Sequence, residues 1–165
     1  MRTLCVARGT PTYAFIRFGH LNMIAKVLLL QDRWDQELDG DVLIDLGFDL
    51  FKKERVRIAG VDTPEKRTRD LEEKALGIDA TNWLKEKLDS TIAGDDELTI
   101  RTELDGGVGK YGRLLGWLYI GDGNVSLNEQ MITEGYAHAY DGGTKDMNLE
   151  ALREIRRSFG TLNAG

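Results

Sequence analysis

Glu54-Arg55-Val56-Arg57-Ile58-Ala59-Gly60-Val61-Asp62-Thr63-Pro64-Glu65 is the stretch that decides the fold. Val56 and Ile58 alternate with Arg55 and Arg57, the two-residue period of a strand with one apolar and one polar face. Gly60 and Pro64 end the pattern, so Asp62, Thr63 and Glu65 fall where a strand leaves its sheet. Reactive groups are often held there by a rigid scaffold. Strict alternation from Arg57 puts Asp62 on the opposite face. The two residues can serve one site only if the backbone turns between them, which Gly60 permits. Taken alone, the same residues equally describe a strand with a wet arginine face and an Asp-Thr-Pro turn.

On the N-terminal side, Ile24 to Leu30 is apolar apart from Lys26 and reads as a core strand. Asp39-Gly40-Asp41 is a turn signal that suggests a hairpin. Val42, Ile44 and Leu46 then alternate with Asp41, Leu43 and Asp45 as a second strand, and residues 54–61 make the third. From Asp70 the period changes. Leu76, Ala80, Trp83, Leu84 and Leu88 recur at helical spacing, Asp70 and Glu73 are spaced as a capping pair, and Gly94 follows the end. Residues 98–102 and 111–120 are the fourth and fifth strands, separated by Asp105-Gly106-Gly107-Val108-Gly109. A second helix spans Leu127 to Thr133, and a third carries Leu149, Leu152, Ile155 and Phe159 on one stripe up to Gly160. Five strands with a helix between the third and fourth predict an α+β fold, a five-stranded OB-fold barrel with three helices.

The chain of 165 residues suits one domain, able to bury a core without metal or disulfide staples. Residues 1–22, broken by Gly9, Pro11 and Gly19 around a short Tyr13–Phe18 run, read as an N-terminal extension, and 23–162 as a single domain. One cysteine, Cys5, allows no internal disulfide. No apolar run approaches the roughly 18 residues needed to span a membrane, and the N-terminus has no sustained apolar segment of the secretory kind. These features leave the localisation open and favour a cytoplasmic protein over a secreted one; no membrane partner is expected, and a monomer is. A net charge of −6 argues at first against a nucleic-acid partner. All of that excess lies in residues 31–50, where Asp32, Asp35, Glu37, Asp39, Asp41, Asp45 and Asp49 face only Arg33. The remaining chain is neutral, so nucleic acid is not excluded, and the acidic segment is either a solvated turn or partly a site for a hard cation.

Charged residues collect at strand ends: Asp41 in the hairpin, Arg57 and Asp62 to Glu65 around the third strand, and Arg113 on the fifth. Carboxylates on a hard cation, two guanidiniums on phosphate oxygens and a further carboxylate that orients a water suit hydrolysis of a phosphodiester. His20 and His138 are not spaced as a zinc motif, and no glycine-rich phosphate loop is present. Trp34, Trp83 and Trp117 read as packing residues, and His138 as structural.

The ordered set Asp39-Gly40-Asp41, Arg57-x4-Asp62-Thr63-Pro64-Glu65, Lys110-Tyr111-Gly112-Arg113, Leu127-Asn128-Glu129 and Glu134-Gly135-Tyr136-Ala137 resembles the successive signatures of the staphylococcal nuclease (thermonuclease) family, over about residues 24–160. The resemblance implies an OB-fold, calcium-dependent endonuclease acting on DNA and RNA. It implies Asp41 and Asp62 as calcium ligands with the Thr63 carbonyl, Glu65 as general base or water-positioner, and Arg57 and Arg113 on the scissile phosphate. Lys110 and Tyr111 match positions on a terminal phosphate of a bound nucleotide, and Tyr140 is a stacking candidate near that pocket. This chain has Val42 where the family has threonine after Asp-Gly-Asp, and Gly109 where some members have an acid. The spacing from Asp41 to Ile44-Asp45-Leu46-Gly47-Phe48 is short, so Asp39, or Asp35 with an enlarged turn, stands beside Asp41 as the hairpin ligand. The alternative to an enzyme is a non-catalytic module of the same family that binds nucleic acid or protein.

Overall fold

The described residues form strands β1 (Arg17–Gly19), β2 (Asn22–Trp34), β3 (Asp39–Asp45), β4 (Phe51–Ile58) and β5 (Val61–Asp62), then helix α1 (Leu71–Ala93). Strands β6 (Leu98–Glu103) and β7 (Leu114–Ile120), helix α2 (Leu127–Thr133), strand β8 (His138–Ala139) and helix α3 (Leu149–Phe159) follow. The computed structural model describes residues 17–19, 22–34, 39–45, 50–94, 96–103, 113–143 and 147–162. The fold is α+β, with three helices on a mixed sheet in the order β1-β2-β3-β4-β7-β6, in which β2 also pairs with β6. β4 and β7 run parallel, and the other neighbours in this sheet are antiparallel. A separate two-stranded ladder joins β5 to β8.

The alternation expected in β4 holds: Val56 and Ile58 are buried, Arg55 is exposed and Arg57 half-buried. They meet Ile100 of β6, Leu118 of β7, Leu84 and Leu88 of α1, and Leu127 and Met131 of α2 in one apolar cluster. Each such side chain contributes about 1.5–3 kcal/mol by leaving water. Gly116 makes room at the centre, since a Cβ there would lie 2.4 Å from Ile100 Cδ1 and 3.1 Å from Val56 Cγ1.

Four expectations need correction. The third strand stops at Ile58 instead of running to residue 61, because Gly60 at φ +71° turns the chain and sends Val61 and Asp62 into the second ladder. Asp39-Gly40-Asp41 is not the turn. It lies within β3, its backbone paired to Val56 and its neighbours on β4, and the connection falls on residues 35–38, outside the described residues. Pairing along both edges outweighs a local Asp-Gly preference, because an unpaired buried amide is costly. The fifth strand begins at Leu114, with 104–112 outside the described residues. On α3 the stripe continues through Arg156, 1% exposed, while Phe159 is 51% exposed. Burial of Arg156 is offset at one end of its guanidinium: Nη2 donates to Asp79 Oδ2 at 2.8 Å and to Thr161 O at 3.0 Å, and the group lies 4.7 Å from the Tyr136 ring centre, while its buried Nε has no hydrogen-bond partner among the described residues.

Caps set the helix ends. Asp70 Oδ1 accepts from the amides of Glu72 and Glu73 at the start of α1, and Ser126 with Glu129 forms a reciprocal capping box on α2. His138 Nε2 donates to Asn148 O at 2.9 Å, and Trp83 is buried with its Nε1 donating to Glu134 Oε2 at 2.9 Å, packing roles for both.

Candidate active site

The order of pairing sets β4, which carries Arg57, beside β7, whose start follows Arg113. Arg57 lies one residue from the end of β4, registered against Leu115 of the parallel strand β7. Arg113 stands two residues before Leu115 and is half-buried. The spacing of neighbouring strands and a two-residue offset separate the two Cα atoms by roughly 8 Å. Gly116 and Leu118 are buried on β7, so alternation assigns Arg113 to the outer face that carries Arg57.

After Ile58 the turn at Ala59-Gly60 redirects the chain, and Asp62, 4% exposed, pairs with His138. This is the backbone turn that a shared site for Arg57 and Asp62 requires. Thr63 is half-buried, Pro64 buried and Glu65 exposed, on the loop that leads to α1. Tyr140 is half-buried; its amide donates to Gly60 O at 2.9 Å, and its hydroxyl to Gly143 O at 3.1 Å. The β5–β8 ladder thus carries Tyr140 to the turn between Arg57 and Asp62. Lys110 and Tyr111 lie outside the described residues. On β3, Asp41 is registered across from Arg55, whereas Asp39 is registered across from Arg57.

In the sequence Asn128 is part of the Leu127-Asn128-Glu129 signature; in the fold its side chain joins three elements. It is 2% exposed, accepts from Leu118 N at 3.1 Å, and donates to Ala59 O at 2.7 Å and Gly116 O at 3.0 Å. Ala59 N donates to Gly116 O at 2.9 Å. One amide therefore ties α2 to β7 and to the turn that separates Arg57 from Asp62. A lone Asn near a helix start gives no sign of this, because its partners lie 10, 12 and 69 residues away along the chain.

The Asp62 carboxylate and the Thr63 carbonyl are hard oxygen donors of the kind that calcium takes. Among the described residues, no three His, Cys, Asp or Glu side chains form a ready-made metal cluster. No helix among them is long and apolar enough to cross a membrane.

The fold that carries these residues is an α+β mixed sheet with three helices. A family model described as staphylococcal nuclease homologue matches residues 55–158. The chain belongs to that family. The match takes in Arg57, Asp62, Thr63, Glu65, Lys110, Tyr111, Arg113 and Tyr140 and leaves Asp41 and Asp39 before its start. No curated protein matches the chain.

Proposed function

We propose that the protein is a calcium-dependent nuclease that hydrolyses phosphodiester bonds in DNA or RNA, acting as a monomer. The observation that supports this reading is the register of Arg57 against Leu115 of the parallel strand β7, two residues after Arg113, with the chain turning at Gly60 before the buried Asp62. The circuit of pairings β2–β3–β4–β7–β6 and back to β2 supports an OB-type barrel as the scaffold.

Asp62, the Thr63 carbonyl and Asp41, or Asp39 across from Arg57, would hold the cation. Bound there, calcium would supply positive charge against the negative charge that develops on the phosphate as it is attacked. Arg57 and Arg113 present planar forks of donors to the phosphate oxygens, in a geometry that binds two oxygens at once. Glu65, exposed on its loop, accepts a proton from, or orients, the attacking water. Lys110 and Tyr111 hold a terminal phosphate, and Tyr140 offers its ring to a base.

One observation favours the second reading, a non-catalytic module that binds nucleic acid: Asp41 is registered across from Arg55 and not Arg57. Incubation with denatured DNA in calcium and in chelator separates the two. Cleavage in calcium alone is the expected result. Binding without cleavage in either condition selects the module.

A further inference from the structure

The spacing of Asp70 and Glu73 predicts a reciprocal capping box, and only half of it forms. Asp70 Oδ1 accepts from Glu72 N at 2.9 Å and Glu73 N at 3.2 Å, but the Asp70 amide donates to Thr68 Oγ1 at 3.2 Å. The Glu73 carboxylate is directed elsewhere: its Oε1 accepts from the backbone amide of Glu65, eight residues earlier, at 3.2 Å. One helical turn further along the same face, Gly77 is buried against the same loop. A Cβ at Gly77 would lie 2.4 Å from Pro64 O and 2.9 Å from Lys66 Cγ. Contacts under 3.0 Å with a backbone oxygen do not occur, so the close approach of α1 to the Pro64 carbonyl depends on glycine.

We propose that Glu73 is a positioning residue for Glu65, with Gly77 completing the seat on which α1 holds the loop. Glu65 is exposed and belongs to no helix or strand, so nothing in regular secondary structure fixes its direction. The Glu73 carboxylate holds the Glu65 amide by a charge-assisted hydrogen bond, and the Gly77 approach fixes the peptide before it. Residues at i and i+4 of a helix lie one above the other, so both contacts come from a single rigid edge. That edge is itself anchored, since Arg153 of α3 pairs with Glu72. The inference deepens the hydrolytic reading and rests on it for its kinetic consequence.

The test compares Glu73→Ala with Glu73→Gln, using denatured DNA in calcium and, separately, amide hydrogen exchange at Glu65. Glu73→Ala should lower kcat about ten- to a hundred-fold with KM little changed, the size expected when a reacting group is misplaced by up to about 1 Å. Glu73→Gln keeps an acceptor oxygen and should recover most of the loss. In a Glu65→Ala background, removing Glu73 should cost nothing more, because it acts through Glu65. Glu86→Ala, which removes an exposed charge further along the same helix, is the control for a general effect on α1. The Glu65 amide should be protected in the wild type and in Glu73→Gln, and exchange freely in Glu73→Ala. Wild-type kcat in Glu73→Ala, equal losses in Ala and Gln, an undiminished loss in the Glu65→Ala background, or unchanged exchange would each overturn the proposal. If the wild type leaves DNA uncut while the exchange pattern holds, the hydrolytic reading fails and the seat stands.

Discussion

Replacing Asn128 by alanine tests whether the scaffold under the candidate site depends on one buried amide. The substitution removes three hydrogen bonds, but Gly116 O keeps the Ala59 amide as donor. Two groups lose the partner that Asn128 gave them, Leu118 N–H and Ala59 C=O. Each buried polar group left unsatisfied costs about 1–3 kcal/mol, so Asn128→Ala should lose about 2–6 kcal/mol, a large share of the roughly 5–15 kcal/mol typical of a domain. In urea, with a slope of about 2 kcal/mol per molar, the midpoint followed by tryptophan fluorescence should fall by about 1–3 M. Asn128→Asp sharpens the test. It preserves an acceptor for Leu118 N–H but turns an oxygen on the carbonyls of Ala59 and Gly116. Burial against those oxygens disfavours the charged form, so the folded-state pKa of that aspartate is raised. Its deficit is then smallest below the free value of about 3.9 and grows as pH rises through that value toward the raised one, whereas the alanine deficit is flat with pH. A loss under about 1 kcal/mol for Asn128→Ala, against the 1–3 kcal/mol expected for even one orphan, would refute the reasoning. So would pH-independent behaviour of Asn128→Asp.

Arg113→Lys and Arg57→Lys should each lower kcat on denatured DNA by on the order of a hundred- to a thousand-fold, as loss of a preorganised donor does, while Arg55→Lys costs little; equal, small losses in all three would remove Arg113 from the catalytic set. Calcium calorimetry should find one weak site whose affinity falls on Asp62→Ala. Of the two β3 acids, the register across from Arg57 favours Asp39, so Asp39→Ala should weaken binding more than Asp41→Ala, and the reverse order would restore Asp41. Glu129 is held below its ordinary pKa, chiefly by the hydrogen bond from the Ser126 amide and then by the Ser126 hydroxyl and the charge of Arg101, against desolvation. A lowered acid stabilises fully above its unfolded value of about 4.3 and loses that contribution as pH falls through the folded value. The gap in Tm between wild type and Glu129→Ala should therefore be widest near neutral pH and close in acid; a constant gap would contradict the capping assignment.

The local patterns were legible in the sequence because their causes are local. Alternation at Val56 and Ile58 marks β4, and helical spacing from Leu76 to Leu88 marks α1. The arginines, Asp62 and Glu65 could be gathered as a set because they lie on short motifs in a recognisable order. Tertiary structure decided what depends on pairing between distant segments. Asp39-Gly40-Asp41 reads as a turn until β4 supplies partners for its backbone, and that register sets Asp39 and not Asp41 across from Arg57. Arg156 reads as surface until Asp79, Thr161 and Tyr136 surround it. Glu73 reads as half of a capping box until the loop places the Glu65 amide within its reach. In each case a polar group takes the partner that burial or proximity offers, and that partner lies too far along the chain for spacing to reveal it.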